Sequence, residues 1–164
     1  MKIKKVTFLA IFVALSMMLS FVESQIPPLV AIPGVKMGLA NIAVVYTLYR
    51  LGVKEATGVS ILRVLLMSLI FGNALSLAYG LCGAAISLVG MALLKRFTRF
   101  SSISVSVVGG VLHNFGQIIV AYFVTDTAEL VYYLPVLMIS GTLAGIVIGV
   151  IAGIIVKRFE KIKI

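Results

Sequence analysis

Four clusters of basic residues, set apart by pairs of apolar runs, constrain this chain more than any other feature. Lys2, Lys4 and Lys5 precede the first run; Arg50 and Lys54 lie between the second and third; Lys95, Arg96 and Arg99 lie between the fourth and fifth; Lys157, Arg158, Lys161 and Lys163 follow the sixth. A membrane-crossing helix needs roughly 17–25 mostly apolar residues, and six such runs use nearly all of the 164 residues. If each run crosses once, every basic cluster falls on one side, which by the positive-inside rule is the cytoplasm. A miscounted helix would scramble that pattern. The expected fold is therefore an all-α integral membrane protein: one domain over residues 1–164, six transmembrane helices, both termini cytoplasmic.

Composition agrees. The chain is 62% hydrophobic with a mean hydropathy of +1.21, outside the range of soluble domains, which points to a multi-pass protein of the cell membrane. The net charge of +9 is accounted for by topology and calls for no nucleic acid. Cys82 has no second cysteine to pair with and reads as a small packing residue.

The start, "MKIKKVTFLAIFVALSMMLSFVES", has the basic and apolar regions of a signal peptide, but its apolar stretch is long enough to span and is read as a retained first helix. Further helices are expected at about 37–51, 55–72, 75–94, 102–124 and 132–156, joined by connections that are short apart from the first and last. Span six carries Gly141, Gly145, Gly149 and Gly153, a four-residue repeat that bares backbone along one face; intramolecular packing is its simplest role. Span one has a shorter version in Ala10 and Ala14.

Several chemistries are excluded. The chain has no G-x-x-x-x-G-K-[ST] phosphate loop. Asp126 is the only aspartate, and Glu23, Glu55, Glu129 and Glu160 are too scattered to make a carboxylate cluster for catalytic Mg²⁺. No serine or cysteine has an evident base beside it. The chain is expected to be neither an enzyme nor the holder of a metal or cofactor.

Polar residues inside the spans are few, and an ionisable group in hydrocarbon is a functional candidate because it is costly to hold there. Arg63, in "SILRVLLMSL", lies too deep for comfortable snorkelling. It either meets a ligand or bonds to helix-end carbonyls or to Glu55. In "GGVLHNFGQ", His113, Asn114 and Gln117 are spaced to project from neighbouring positions of one helix, and the glycines around them allow close approach of a ligand or another backbone. In "IPGVKMGLAN", span two begins near Lys36 after Pro33 and Gly34. Its first free N–H groups, around Met37 and Gly38, with a lysine beside them, form a place that attracts anions. That span is short, some 15 residues or about 22 Å, against a hydrocarbon thickness of about 30 Å. Lys36 and Asn41 then read as one wall of an outward-facing pocket, the alternative for Lys36 being an ordinary interfacial charge. Asn73, in the "FGN" connection on the same outer side, is a further candidate or simply a turn residue.

The pattern as a whole resembles the substrate-binding S components of energy-coupling factor (ECF) transporters: six spans, Ala10-x-x-x-Ala14 in the first, and a long first outer loop over a polar pocket. More closely, "IPGVKMGLANI" and "HNFGQ" look like the family called Gx transporters, also described as heptaprenyl diphosphate synthase component I. The resemblance implies an S-component-like bundle that binds a small vitamin-like molecule, or an isoprenoid or quinone precursor. It also implies docking through Ala10 and Ala14 on a transmembrane coupling subunit driven by two cytoplasmic ATPases. The missing phosphate loop then follows, because partners hydrolyse the ATP. The family's second name implies the alternative, a non-catalytic membrane subunit of a prenyl diphosphate synthase. A purely structural scaffold would leave Arg63 and the His113 group without a purpose.

Overall fold

The computed structural model describes residues 3–25, 38–97, 100–126 and 128–160. Six α-helices form: α1 (Ile3–Gln25), α2 (Asn41–Arg50), α3 (Val53–Phe71), α4 (Ala74–Phe97), α5 (Ser102–Thr125) and α6 (Leu134–Arg158), with a 3-10 turn at Ala128–Tyr133 before the last. No strand occurs among the described residues. Local chemistry sets several of the boundaries. Asn73 Oδ1 accepts the Ser76 N–H at 2.9 Å and opens α4, and Ser101 Oγ accepts the Ser104 N–H at 3.3 Å and opens α5. Pro135 occupies the first turn of α6, where its missing N–H costs nothing.

Four segments are long and apolar enough to cross a membrane: Ile3–Gln25, Ala74–Phe97, Ser102–Thr125 and Glu129–Arg158. The protein is thus a multi-pass membrane protein. The α3 helix has 19 residues but holds Lys54, Glu55 and Arg63. The expected second span is shorter than its sequence suggested, because residues 38–40 form a turn and α2 has only 10 residues, about 15 Å at 1.5 Å per residue. That is about half the hydrocarbon thickness. Residues 42–48 of α2 are all buried, and the helix packs against α1, α3 and α6. On one side the Phe12 ring stacks on Tyr46, centroids 4.7 Å apart and planes 2° from parallel. A helix apolar all round belongs inside a bundle, and the strongly apolar residues of the outer helices, such as Leu69, Phe123 and Ile139, point outward as lipid-facing residues do.

α5 lies between α4 and α6 and meets both through backbone. A Cβ placed on Gly145 would lie 2.5 Å from Val107 Cα, and one on Gly149 would lie 2.5 Å from Ile103 Cα. The glycine stripe of α6 therefore receives α5 and is used up inside the molecule. Ser102 Oγ adds a bond to Gly149 O at 2.9 Å, and on the other side Ser87 Oγ donates to Gly109 O at 2.8 Å. In lipid, where apolar side chains gain little by leaving one apolar medium for another, such close packing and interhelical bonding hold helices together.

One end of the bundle collects the described members of the basic clusters. Lys5 pairs with Glu55, joining the start of α1 to the start of α3. Lys95 Nζ donates to Leu48 O at 2.5 Å and sits 5.3 Å from the centre of the Tyr49 ring, while Tyr49 Oη donates to Phe100 O at 3.0 Å. Arg50 donates to Phe159 O at 3.1 Å. Lysine and arginine here satisfy carbonyls that helix ends leave open. The start of α1 and the end of α6 consequently lie at the same end.

Candidate ligand-binding site

A cavity of about 700 Å³ opens between the helices, with Gly38 and Asn41 near the N-terminus of α2 on its wall. Its lining residues come from the parts of each helix away from the basic end: Ser20, Glu23 and Ser24 of α1, Asn41 of α2, Arg63 to Phe71 of α3, Ser76 to Gly80 of α4, Gly110 to Thr125 of α5, and Leu137 to Ile148 of α6. The volume falls within the range of small-molecule sites.

Five of the sequence candidates meet on this lining: Asn41, Arg63, His113, Asn114 and Gln117. Arg63 is 9% exposed. Its Nε has no hydrogen-bond partner, and it forms no ion pair, among the described residues. Glu55, one of its expected partners, is taken by Lys5 instead, which disposes of that pairing. Glu23 shares the cavity wall with Arg63, but no ion pair joins them among the described residues. His113 rests on the bare backbone of α4: a Cβ on Gly83 would come within 2.9 Å of its Cε1 and 3.0 Å of its Nδ1. Asn114 is partly committed elsewhere. Its Nδ2 donates to Leu137 O at 2.7 Å and to Ser140 Oγ at 3.4 Å, tying α5 to α6. Gln117 is half-buried on the same wall.

Glu23, which the sequence offered only as a counter-charge and not as a site residue, also lines the cavity. The residue is 9% exposed, and its carboxylate accepts the N–H groups of Gly38 at 2.5 Å and Leu39 at 3.0 Å. Those are among the donors at the head of α2 that the sequence offered to an anionic ligand, and the protein fills them with its own carboxylate. A lone acid at the end of an otherwise apolar helix, in "FVES", was the available signal. Gly38 takes φ +71° in the turn that presents these groups, a conformation glycine adopts freely.

Asn73 is exposed, serves as the cap of α4, and is not among the residues lining the cavity. Lys36 lies outside the described residues. Ala10 and Ala14 lie on the outward face of α1, exposed, with Ile11 and Met18 beside them. Among the described residues, no group of three His, Cys, Asp or Glu side chains is placed to hold a metal ion.

The family model described as heptaprenyl diphosphate synthase component I matches residues 12–155, from the middle of α1 to near the end of α6. No curated protein and no solved structure matches the chain.

Proposed function

For a chain that belongs to the heptaprenyl diphosphate synthase component I family, we propose that its role is to bind a small molecule within the membrane, as the S component of an ECF-type uptake transporter does. The observation that carries this reading is the cavity of about 700 Å³ with the buried Arg63 on its wall, at the end of the bundle opposite the basic clusters. By the positive-inside rule the basic end faces the cytoplasm, both termini with it, and the cavity opens toward the outside of the cell membrane. The chain itself is non-catalytic. A transmembrane coupling subunit with two cytoplasmic ATPases supplies the energy, and the exposed small pair Ala10 and Ala14 on α1 is the face on which the coupling subunit docks.

A second reading rests on the family's description. As a synthase component, the chain would be the non-catalytic membrane subunit of heptaprenyl diphosphate synthase, in isoprenoid or menaquinone biosynthesis, with the chemistry on a partner subunit. One experiment separates the two: gentle solubilisation of native membranes, purification of the full chain, and mass spectrometry of the proteins and small molecules retained with it. A coupling subunit with ATPases and a retained organic molecule support transport. A prenyl-transferring subunit with no retained molecule supports the second reading and overturns the first.

A further inference from the structure

We propose that the cavity selects an amphipathic molecule with a single negative charge, a carboxylate whose oxygens accept from the Arg63 guanidinium, and that it discriminates against a diphosphate. This rests on the reading of the cavity as a ligand site.

The need for an anion comes from Arg63. A buried guanidinium gains back its lost hydration only from a well-placed acceptor. Its Nε lacks one among the described residues. Glu23 does not provide it: no ion pair joins the two among the described residues, and its carboxylate accepts the Gly38 and Leu39 N–H groups. The same two bonds remove the head of α2 as a rival anion site, so recognition of negative charge falls to Arg63. A carboxylate matches the fork of N–H groups on a guanidinium in a planar, two-bonded pairing.

The limit to one charge comes from the distribution of cations along the chain. Of its 14 Lys and Arg residues, only Arg63 and Lys36 stand outside the four basic clusters. Among the described residues lining the cavity Arg63 is the one Lys or Arg, and Glu23 shares that wall, so no surplus of positive charge is left for a second negative charge. A diphosphate brings several negative charges into a low-dielectric space, and like charge without counter-charge is costly there. The remaining wall is mostly apolar, with Val64, Met67, Phe71, Ile118, Leu137 and Ile148, which suits a hydrocarbon body. His113 and Gln117 add polar groups along one side.

The test compares geranate, geraniol and geranyl diphosphate, which share one hydrocarbon body and differ in the charge of the head. Binding to the full chain in lipid nanodiscs is measured against empty nanodiscs. Geranate is expected to bind at least about tenfold more tightly than either of the others. Arg63→Gln is expected to remove about tenfold of that affinity, the scale of one charge-assisted hydrogen bond, and Arg63→Lys to restore part of it. Should Arg63→Gln fail to fold, phenylglyoxal labelling of Arg63 in the unmutated protein gives the answer: geranate slows it and geraniol does not. If geraniol or geranyl diphosphate binds as tightly as geranate, the single-carboxylate inference is overturned while the cavity stands as a ligand site. If none of the three is held above empty nanodiscs and none protects Arg63, both the inference and the binding role fall.

Discussion

The Glu23 carboxylate accepts the backbone N–H of Gly38 at 2.5 Å, joining the end of α1 to the turn that starts α2. With the Leu39 N–H at 3.0 Å as a second donor, this one side chain fixes the floor of the cavity. Hydrogen bonds to an ionised acceptor contribute more than neutral ones, so Glu23→Ala is expected to cost about 1–3 kcal/mol. Glu23→Gln, which keeps an acceptor oxygen, should cost less. Thermal unfolding of the purified variants in detergent checks the order, and equal stability of all three proteins would refute it.

The arrangement of the basic end leads to a topology expectation. A reporter fused after Lys163 should be cytoplasmic and one inserted near Asp126 extracellular, because the start of α1 and the end of α6 lie at the same end of the bundle and basic clusters are retained inside. Both reporters on one side, or the reverse pairing, would overturn the assignment.

Close backbone approach between α5 and α6 makes the glycine stripe intolerant of side chains. Gly145→Leu would drive its Cβ to 2.5 Å from Val107 Cα, and backbone cannot yield as a side-chain tip does. A cost above the about 1–3 kcal/mol of ordinary overpacking follows, seen as loss of monodisperse protein on size exclusion. Gly58→Ala is the contrasting case. It is exposed within α3 with no atom within 4 Å of a Cβ, and the substitution should raise stability by about 0.5–1 kcal/mol through reduced backbone entropy in the unfolded chain.

Asn114 and Gln117 lie on the same cavity wall but should respond differently. Asn114→Ala removes the bond to Leu137 O and is expected to lower stability by about 1 kcal/mol, the scale of interhelical bonds in membranes. The Gln117 side chain forms no hydrogen bond among the described residues, so Gln117→Ala should leave the unfolding temperature unchanged. A larger loss for Gln117→Ala would reverse their roles.

Ala10→Leu with Ala14→Leu changes an exposed face of α1 and nothing in the core. The isolated protein should keep its unfolding temperature while losing co-purification with a membrane partner, since bulk at a small-residue face blocks close helix approach. A partner that stays bound to the double variant would place docking elsewhere.

How much of this was legible beforehand follows from the range of each interaction. Hydropathy is summed along neighbouring residues, so the helices appear close to where "LLMSLIF" or "GVIAGIIV" placed them, and the described basic residues Lys5, Arg50 and Lys95 meet at one end of the bundle as their spacing along the chain implied. Arg63, His113, Asn114 and Gln117 could be singled out because a polar residue in an apolar run is conspicuous. Which partners they find depends on the depth and rotation of helices distant in sequence, and no local pattern encodes that. Only the tertiary structure gave Glu55 to Lys5 rather than to Arg63, committed Asn114 to α6, used Asn73 as a cap, and placed the Glu23 carboxylate on the N–H groups at the head of α2. The physical reason is the same in each case: the requirement that a buried polar group find a partner is a property of its residue type, whereas the identity of the partner is decided by which helices the packing of bare backbone on backbone brings together.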